Sequence, residues 1–329
     1  MPATAKNDDF LRPYQGYGDI TQVTWSGTSN YNSLQVQVSR RYANHFQYGL
    51  VYTLGFSKDY ANDDTSDLSS PRPYKAFNYA PSDFDQRHIL TAGYIYDVPS
   101  LSRKFNDNSV IKFIFDNWQI SGTTSFATGR PKNNLSIAYT SGNAPMMAGQ
   151  TCPVGTFQTT TTQCTMITDY TGGTVNARAL LTCDPSKGVS GTDSTGSNFV
   201  INVNCFAPPT TLGDIGNLPR NSVRIPALFN NDLAFFKNIK IGERRGIQLR
   251  WEIYNIFNRA NFEDFDGALT YGVVQVNPAA ATTQSGQTVP PCSTTNVCST
   301  VVKQTKSTFG TATTARQARV MQASIRINF

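Results

Sequence analysis

The chain offers little for catalysis. Its 329 residues include two histidines, His45 and His88, so candidates for general acid–base work are few. No G-x-S-x-G, H-E-x-x-H or phosphate-binding loop occurs. Carboxylates are present, but no pattern pairs them as a glycosidase requires. Neither enzymatic activity nor a cofactor is expected. The charged residues that do follow a pattern are Lys240, Arg250 and Glu252, with Asn258 in the same register. They share the polar parity of two neighbouring segments, and Ile247, Leu249, Trp251 and Ile253 take the other parity. Charges placed this way either stiffen a wall as a lattice or line a watery lumen and touch a ligand.

Two other groups have ligand chemistry. Asp59, Asn62, Asp63, Asp64 and Asp67 put many oxygens into one stretch, and such oxygens can hold calcium. Their spacing is not that of an EF-hand loop, and an acidic loop tip bathed in water accounts for it as well. Of the six cysteines, Cys152, Cys164, Cys183 and Cys205 fall in one long stretch and Cys292 and Cys298 in another. No C-x-x-C spacing is present, which argues against zinc. An even number of cysteines in exposed loops of an exported protein indicates disulfides. Cys292–Cys298 is the local pair, and the other four leave three pairings open.

These residues ride on segments whose hydrophobic period is two. A strand turns successive side chains to opposite faces, so alternation gives one oily face and one wet face. About eight segments alternate. They run over 19–25, 33–42, 46–57, 86–98, 118–128, 232–241, 247–258 and 319–329. In 46–57, Phe46, Tyr48, Leu50, Tyr52, Leu54 and Phe56 oppose Gln47, Gly49, Thr53, Gly55 and Ser57, with Val51 the exception. Segments of about ten to twelve residues suit tilted transmembrane strands better than the shorter strands of ordinary globular sheets. In the last segment, Met321, Ala323, Ile325, Ile327 and Phe329 share one face, against Gln322, Ser324, Arg326 and Asn328. A closing strand with a terminal aromatic ring is what the outer-membrane barrel-assembly machinery reads, so Met321, Ile325, Ile327 and Phe329 are the expected assembly signal.

The connections alternate between short and long. Short turns fall near 43–45 and 242–246, with an intermediate stretch over 99–117. Long cysteine-bearing loops cover 129–231 and 259–318, and a third long link covers 58–85. Outer-membrane barrels show this asymmetry, with short periplasmic turns and long extracellular loops. Tyr42, His45 and Phe46 near one turn, with Tyr94, Tyr96 and Trp118 near the next, could form an aromatic girdle.

Composition agrees. Charged residues are 15% of the chain and hydrophobic residues 39%, while Tyr and Phe number 15 and 20. No run approaches the roughly eighteen apolar residues of a membrane helix. The net charge of +6 is scattered, so no nucleic-acid surface is expected. The residues from Met1 to Asp9 contain no apolar signal-peptide core, so an exported protein would need sequence upstream.

The expected fold is all-β: an antiparallel transmembrane β-barrel portion of about eight strands. From about Asn30 onward the chain resembles the C-terminal barrel of Oar-like TonB-dependent outer-membrane transporters of the acidobacterial type. The matching stretches begin with Ser29-Asn30-Tyr31-Asn32-Ser33-Leu34-Gln35, Arg40-Arg41, Tyr52-Thr53-Leu54 and Asp85-Gln86-Arg87-His88. They continue with Asn117-Trp118-Gln119-Ile120-Ser121-Gly122, Gly129-Arg130-Pro131 and Gly216-Asn217-Leu218-Pro219-Arg220-Asn221, and end with Arg250-Trp251-Glu252 and Asn255-Ile256-Phe257-Asn258. The resemblance implies a Gram-negative outer-membrane receptor whose 329 residues form the C-terminal part of a larger wall. It also implies lipid and the assembly machinery as partners and, in the parent, a plug domain, TonB and an unidentified bulky imported ligand. Without plug and TonB-contacting segment, this stretch is not expected to transport alone. The alternatives are a complete eight-stranded outer-membrane barrel with a structural or adhesive role, and a secreted carbohydrate-binding β-sandwich.

Overall fold

The computed structural model describes residues 14–17, 27–60, 78–105, 108–132, 135–139, 143–145, 150–153, 156–160, 163–166, 178–210, 214–241, 245–278, 292–293 and 296–328. The expected strand over 19–25, the terminal Phe329 and the oxygen-bearing residues Asn62, Asp63, Asp64 and Asp67 lie outside the described residues.

Among the described residues the chain is mostly strand, with one short α-helix. In order it forms β1 (Ser29–Ala43), β2 (Phe46–Asp59), β3 (Ala80–Pro81), β4 (His88–Asp97), a 3-10 turn (Ser102–Phe105), α1 (Ser109–Phe115) and β5 (Trp118–Ala127). The long link that follows holds β6 (Ser136–Tyr139), β7 (Asn143–Pro145), β8 (Thr156–Thr160), β9 (Gln163–Met166), β10 (Leu180–Leu181) and β11 (Phe206–Ala207). Next come β12 (Leu228–Ile241), β13 (Arg245–Tyr254), β14 (Phe262–Phe265), β15 (Ala268–Val276), β16 (Ser299–Gln304), β17 (Ala312–Ala315) and β18 (Val320–Asn328).

The long strands make one sheet in the order β1-β2-β4-β5-β12-β13-β18, and β3 extends the edge of β2. Every neighbouring pair is antiparallel. This is an up-and-down meander, open among the described residues, with β1 and β18 at its edges. The β1–β2 hairpin closes on Asn44 and His45, with φ of 53° and 68°. Two positive φ angles in a two-residue loop match the right-handed twist of the strands, and Asn tolerates them best. A register shift between Arg40 and Ala43 inserts a bulge just before that turn.

Register fixes the faces, because directly opposed residues point the same way. Ser39, Gly49, Gly93, Thr123 and Asp232 form one row on the wet face. Val38, Leu50 and Ala92 begin the neighbouring row on the oily face. Nearer the short turns, Phe46, Tyr96, Ile120, Phe235 and Trp251 form a single oily row. Phe46 meets Tyr96 edge-on at 6.1 Å between centroids, and Phe235 lies 5.8 Å from Trp251.

Most of the oily face is uncovered among the described residues; the exception is the patch around Trp118 and Lys237, where the β4–β5 connection rests. Leu34, Val36, Val38, Trp251, Met321, Ile325 and Ile327 are all exposed, Ile325 to 70%. The buried hydrophobic cluster lies elsewhere. It gathers Ile201, Phe206, Leu218, Val223, Ile225, Phe265, Leu269, Tyr271 and Phe309, all from the two long links, and no residue of the main sheet belongs to it. A sandwich would bury one whole face of its large sheet, and this sheet buries only scattered residues such as Lys237 and Ile253.

Those links are therefore not structureless. The described parts of the links between β5 and β12 and between β13 and β18 fold on each other into a small β-rich cap. β6 pairs parallel with β15, which pairs antiparallel with β16. An isolated bridge joins Phe199 to Thr311, and the Val200 N–H donates to the Gly310 carbonyl at 2.9 Å.

Candidate functional site

The wet face is built for polar contact. A hollow of about 680 Å³ opens over it, lined in part by Gln47, Gly49, Thr123, Asp232, Arg250 and Glu252. Gly49 and Gly93 oppose each other in the middle of this face. A Cβ added at Gly49 would meet nothing within 4 Å, and one at Gly93 would only graze the Gly122 carbonyl at 4.0 Å. Packing does not demand glycine at either position, and the missing side chains leave the hollow open.

Of the expected lumen residues, Arg250 and Glu252 come together. The Arg250 guanidinium donates to the Glu252 carboxylate, and Gln322 on β18 donates to its other oxygen. Arg250 also lies over the Phe236 ring, 5.1 Å from its centroid. Glu252 is buried, with its charge balanced by Arg250 and its other oxygen hydrogen-bonded by Gln322. Lys240 shares the face but stands opposite Gly246, well toward the short turns, and joins no part of this group.

Asn258 is placed differently from the expectation. β13 ends at Tyr254, not at Asn258, and Asn255-Ile256-Phe257-Asn258 makes a turn at the long-link end. Asn255 and Asn258 have φ of 51° and 49°, which no strand accommodates. The Asn255 side chain accepts from the Arg259 N–H at 3.1 Å and donates to the Arg259 carbonyl at 3.0 Å. Asn258 accepts from the Arg319 N–H at 3.1 Å. Alternation pointed to the lumen because it cannot tell a polar strand residue from one that clamps a turn.

At the same end the motif residues form a buried polar clasp. Asp85 is 1% exposed and accepts from the Ser57 N–H at 2.8 Å. Arg224 pairs with its carboxylate and donates to its carbonyl at 2.8 Å, and Arg87 reaches it at 3.1 Å. Burial alone would raise the Asp85 acid, but the Ser57 N–H, Arg224 and Arg87 together hold it below the usual carboxylate range. Beside it Arg220 pairs with Asp59 at 2.8 Å, and Asn221 donates to the Pro81 carbonyl and to Asp83, both at 2.8 Å. Asp59, proposed from sequence as part of a calcium site, is thus taken up by an arginine. Among the described residues no group of three His, Cys, Asp or Glu side chains is placed to hold a metal.

The cap is stapled by three disulfides: Cys152–Cys164, Cys183–Cys205 and Cys292–Cys298. The last is the pair expected from spacing, and the first two choose among the three pairings that spacing left open. Cys205 is fully buried within the cap's hydrophobic cluster. Elsewhere in the cap a cavity of about 210 Å³ is lined in part by Lys132, Arg178 and Arg220. Burial and the neighbouring Arg220 push the Arg178 guanidinium down to about 10.

In the terminal strand, Met321, Ile325 and Ile327 lie on the oily face opposite Ile253, Leu249 and Ile247. The family model of the outer membrane beta barrel domain matches residues 1–322, and the chain belongs to that family. It is an outer-membrane β-barrel protein of Gram-negative bacteria. No curated protein and no solved structure matches it.

Proposed function

We propose that this chain forms the C-terminal wall of a TonB-dependent outer-membrane transporter that imports a bulky ligand. The observation that carries the reading is the open meander, wet on one face and uncovered oil on the other, with a disulfide-stapled cap at its long-link end. A sheet whose two edges are unpaired among the described residues needs further strands to close in a bilayer, since lipid offers edge groups no partner. In the parent, further strands would complete the wall and a plug would rest against the wet face, near Arg250 and Glu252. The cap would stand outside the cell and make first contact with ligand, and the short turns would face the periplasm. The assembly machinery would read the terminal strand through Met321, Ile325, Ile327 and Phe329.

The deciding experiment is to sequence the DNA upstream of Met1 and the full-length transcript. An uninterrupted frame through further alternating strands, a plug and a TonB-contacting segment supports the reading. A signal peptide directly upstream with nothing between would replace it with a complete small barrel of structural or adhesive role.

A further inference from the structure

The connection between β4 and β5 carries more exposed oil than a turn in water tolerates. α1 exposes Val110, Phe113, Ile114 and Phe115, with Val110 64% exposed, and Leu101 is exposed just before it. No residue of α1 is buried. Grouped apolar exposure of this kind marks contact with a membrane or another protein.

The position of the helix decides between them. Trp118 and Lys237 oppose each other in the row below Phe46, Tyr96, Phe235 and Trp251, on the oily face. The Trp118 indole N–H donates to the Ile114 carbonyl at 2.8 Å. The Lys237 ammonium donates to the same carbonyl at 3.2 Å and to the Asp116 carbonyl. α1 is therefore fastened by its C-terminal end to the outer surface of the wall. This also answers a problem of the strand: a lysine facing lipid near the interface costs up to about 1 kcal/mol, whereas here helix-end carbonyls accept hydrogen bonds from it and Lys237 is 5% exposed. Between helix and wall lies a hollow of about 250 Å³, lined by Val98, Leu101, Phe115, Trp118, Ile120 and Phe235 among others. Its wall side is the lipid-facing surface itself. Arg103, Lys104 and Lys112 are exposed beside it.

We infer that the 3-10 turn and α1 form a membrane-interface collar whose partner is phospholipid. The collar lies at headgroup depth in the leaflet at the short-turn end. Val110, Phe113 and Ile114 dip into the acyl region, an acyl chain enters the hollow, and anionic headgroups pair with Arg103, Lys104 and Lys112. Amphipathic helices settle in this way, apolar side down and basic residues at the headgroups. The inference rests on the main sheet standing in the membrane, and it assigns a lipid site that the sheet alone does not supply.

The test uses the full chain in the outer membrane of the producing cell. A photo-crosslinking amino acid replaces Phe113, Ile114 or, as a control on the main wall, Ile325. Phospholipid adducts at all three positions are expected. Lipid adducts at Ile325 with protein adducts, or none, at Phe113 and Ile114 would overturn the collar while leaving the wall intact. No lipid adduct at Ile325 would overturn both. In a second experiment Arg103→Glu, Lys104→Glu and Lys112→Glu are combined. The share of phosphatidylglycerol among Phe113 adducts should fall by about fivefold or more, and an unchanged share would overturn the headgroup pairing.

Discussion

Asp85 and Arg224, separated by 139 residues, form an ion pair in which the carboxylate is almost wholly buried. One comes from the segment leading into β4 and the other from the end of the long link, so the pair ties the cap to the rim of the wall. Removing one partner of a buried pair costs about 3–5 kcal/mol where it strands the other charge, but Asp85 keeps Arg87 and the Ser57 N–H. Arg224→Ala should therefore loosen the cap by less than that, about 1–3 kcal/mol, read as faster hydrogen exchange in 199–210 and 214–225, with the main strands unaffected.

The same pair predicts a pH dependence. The Asp85 acid is held low in the folded protein. The folded state therefore binds fewer protons than the unfolded state between the two pKa values, and the contribution is fully present above the ordinary carboxylate value of about 4. It is lost as pH falls through the depressed folded value. Protease sensitivity of the cap should rise below about pH 4, and Asp85→Asn should weaken that dependence while lowering cap stability at neutral pH.

The disulfides should differ in weight. Cys183–Cys205 closes a separation of 22 residues around the cap core, and Cys292–Cys298 closes 6. Loop-closure entropy gives about 3 kcal/mol for the first and about 2 for the second. Paired Cys-to-Ser replacement at 183 and 205 should open the cap to trypsin more than the same change at 292 and 298. Equal effects would argue against the packing of Cys205 in the core.

Glycines separate into two kinds. A Cβ on Gly216, which has φ of +73°, would sit 1.9 Å from the Arg178 carbonyl oxygen, and one on Gly129 would sit 1.5 Å from that of Ile225. Gly216→Ala should cost about 3 kcal/mol or more in the cap. Gly49→Ala should leave folding unchanged and only narrow the hollow over the wet face. Thermal unfolding of the purified variants in detergent distinguishes the two cases.

The wall was legible in the sequence because two-fold alternation is a local signal that survives in each strand separately. Leu34 to Val38, Phe46 to Phe56 and Ile247 to Ile253 face as alternation predicts. The cap was not legible. Its core residues Ile201, Leu218, Val223 and Phe309 follow no period, and long-range pairing brings them together. α1 was missed because Val110, Ile111, Phe113, Ile114 and Phe115 are nearly continuous apolar residues, in which the stripe of Val110, Phe113 and Ile114 does not stand out. Its one local cue is Asn108, whose side chain accepts from the Val110 N–H at 2.9 Å. Arg250 and Glu252 share the wet face of β13 as alternation predicts, whereas Asn258 lies past the end of that strand. Turn clamps and polar strand faces use the same residue types.

Facing should also determine the cost of charge. Leu50→Arg places a cation on the oily face of β2 and should cost about 2–4 kcal/mol in membrane-folded stability. Gln37→Arg, on the wet face opposite Val51, should be nearly neutral. Urea unfolding from phospholipid vesicles measures both.

The most direct measurement is a nitroxide scan along β2 from Gln47 to Leu54 in the membrane-embedded protein. Labels at 48, 50, 52 and 54 should collide with oxygen dissolved in lipid, and labels at 47, 49, 51 and 53 with a water-soluble nickel complex, the two profiles running out of phase with a period of two. Profiles in phase, or even positions shielded from lipid oxygen, would mean that these side chains pack inside a water-borne body and that the wall does not stand in a bilayer.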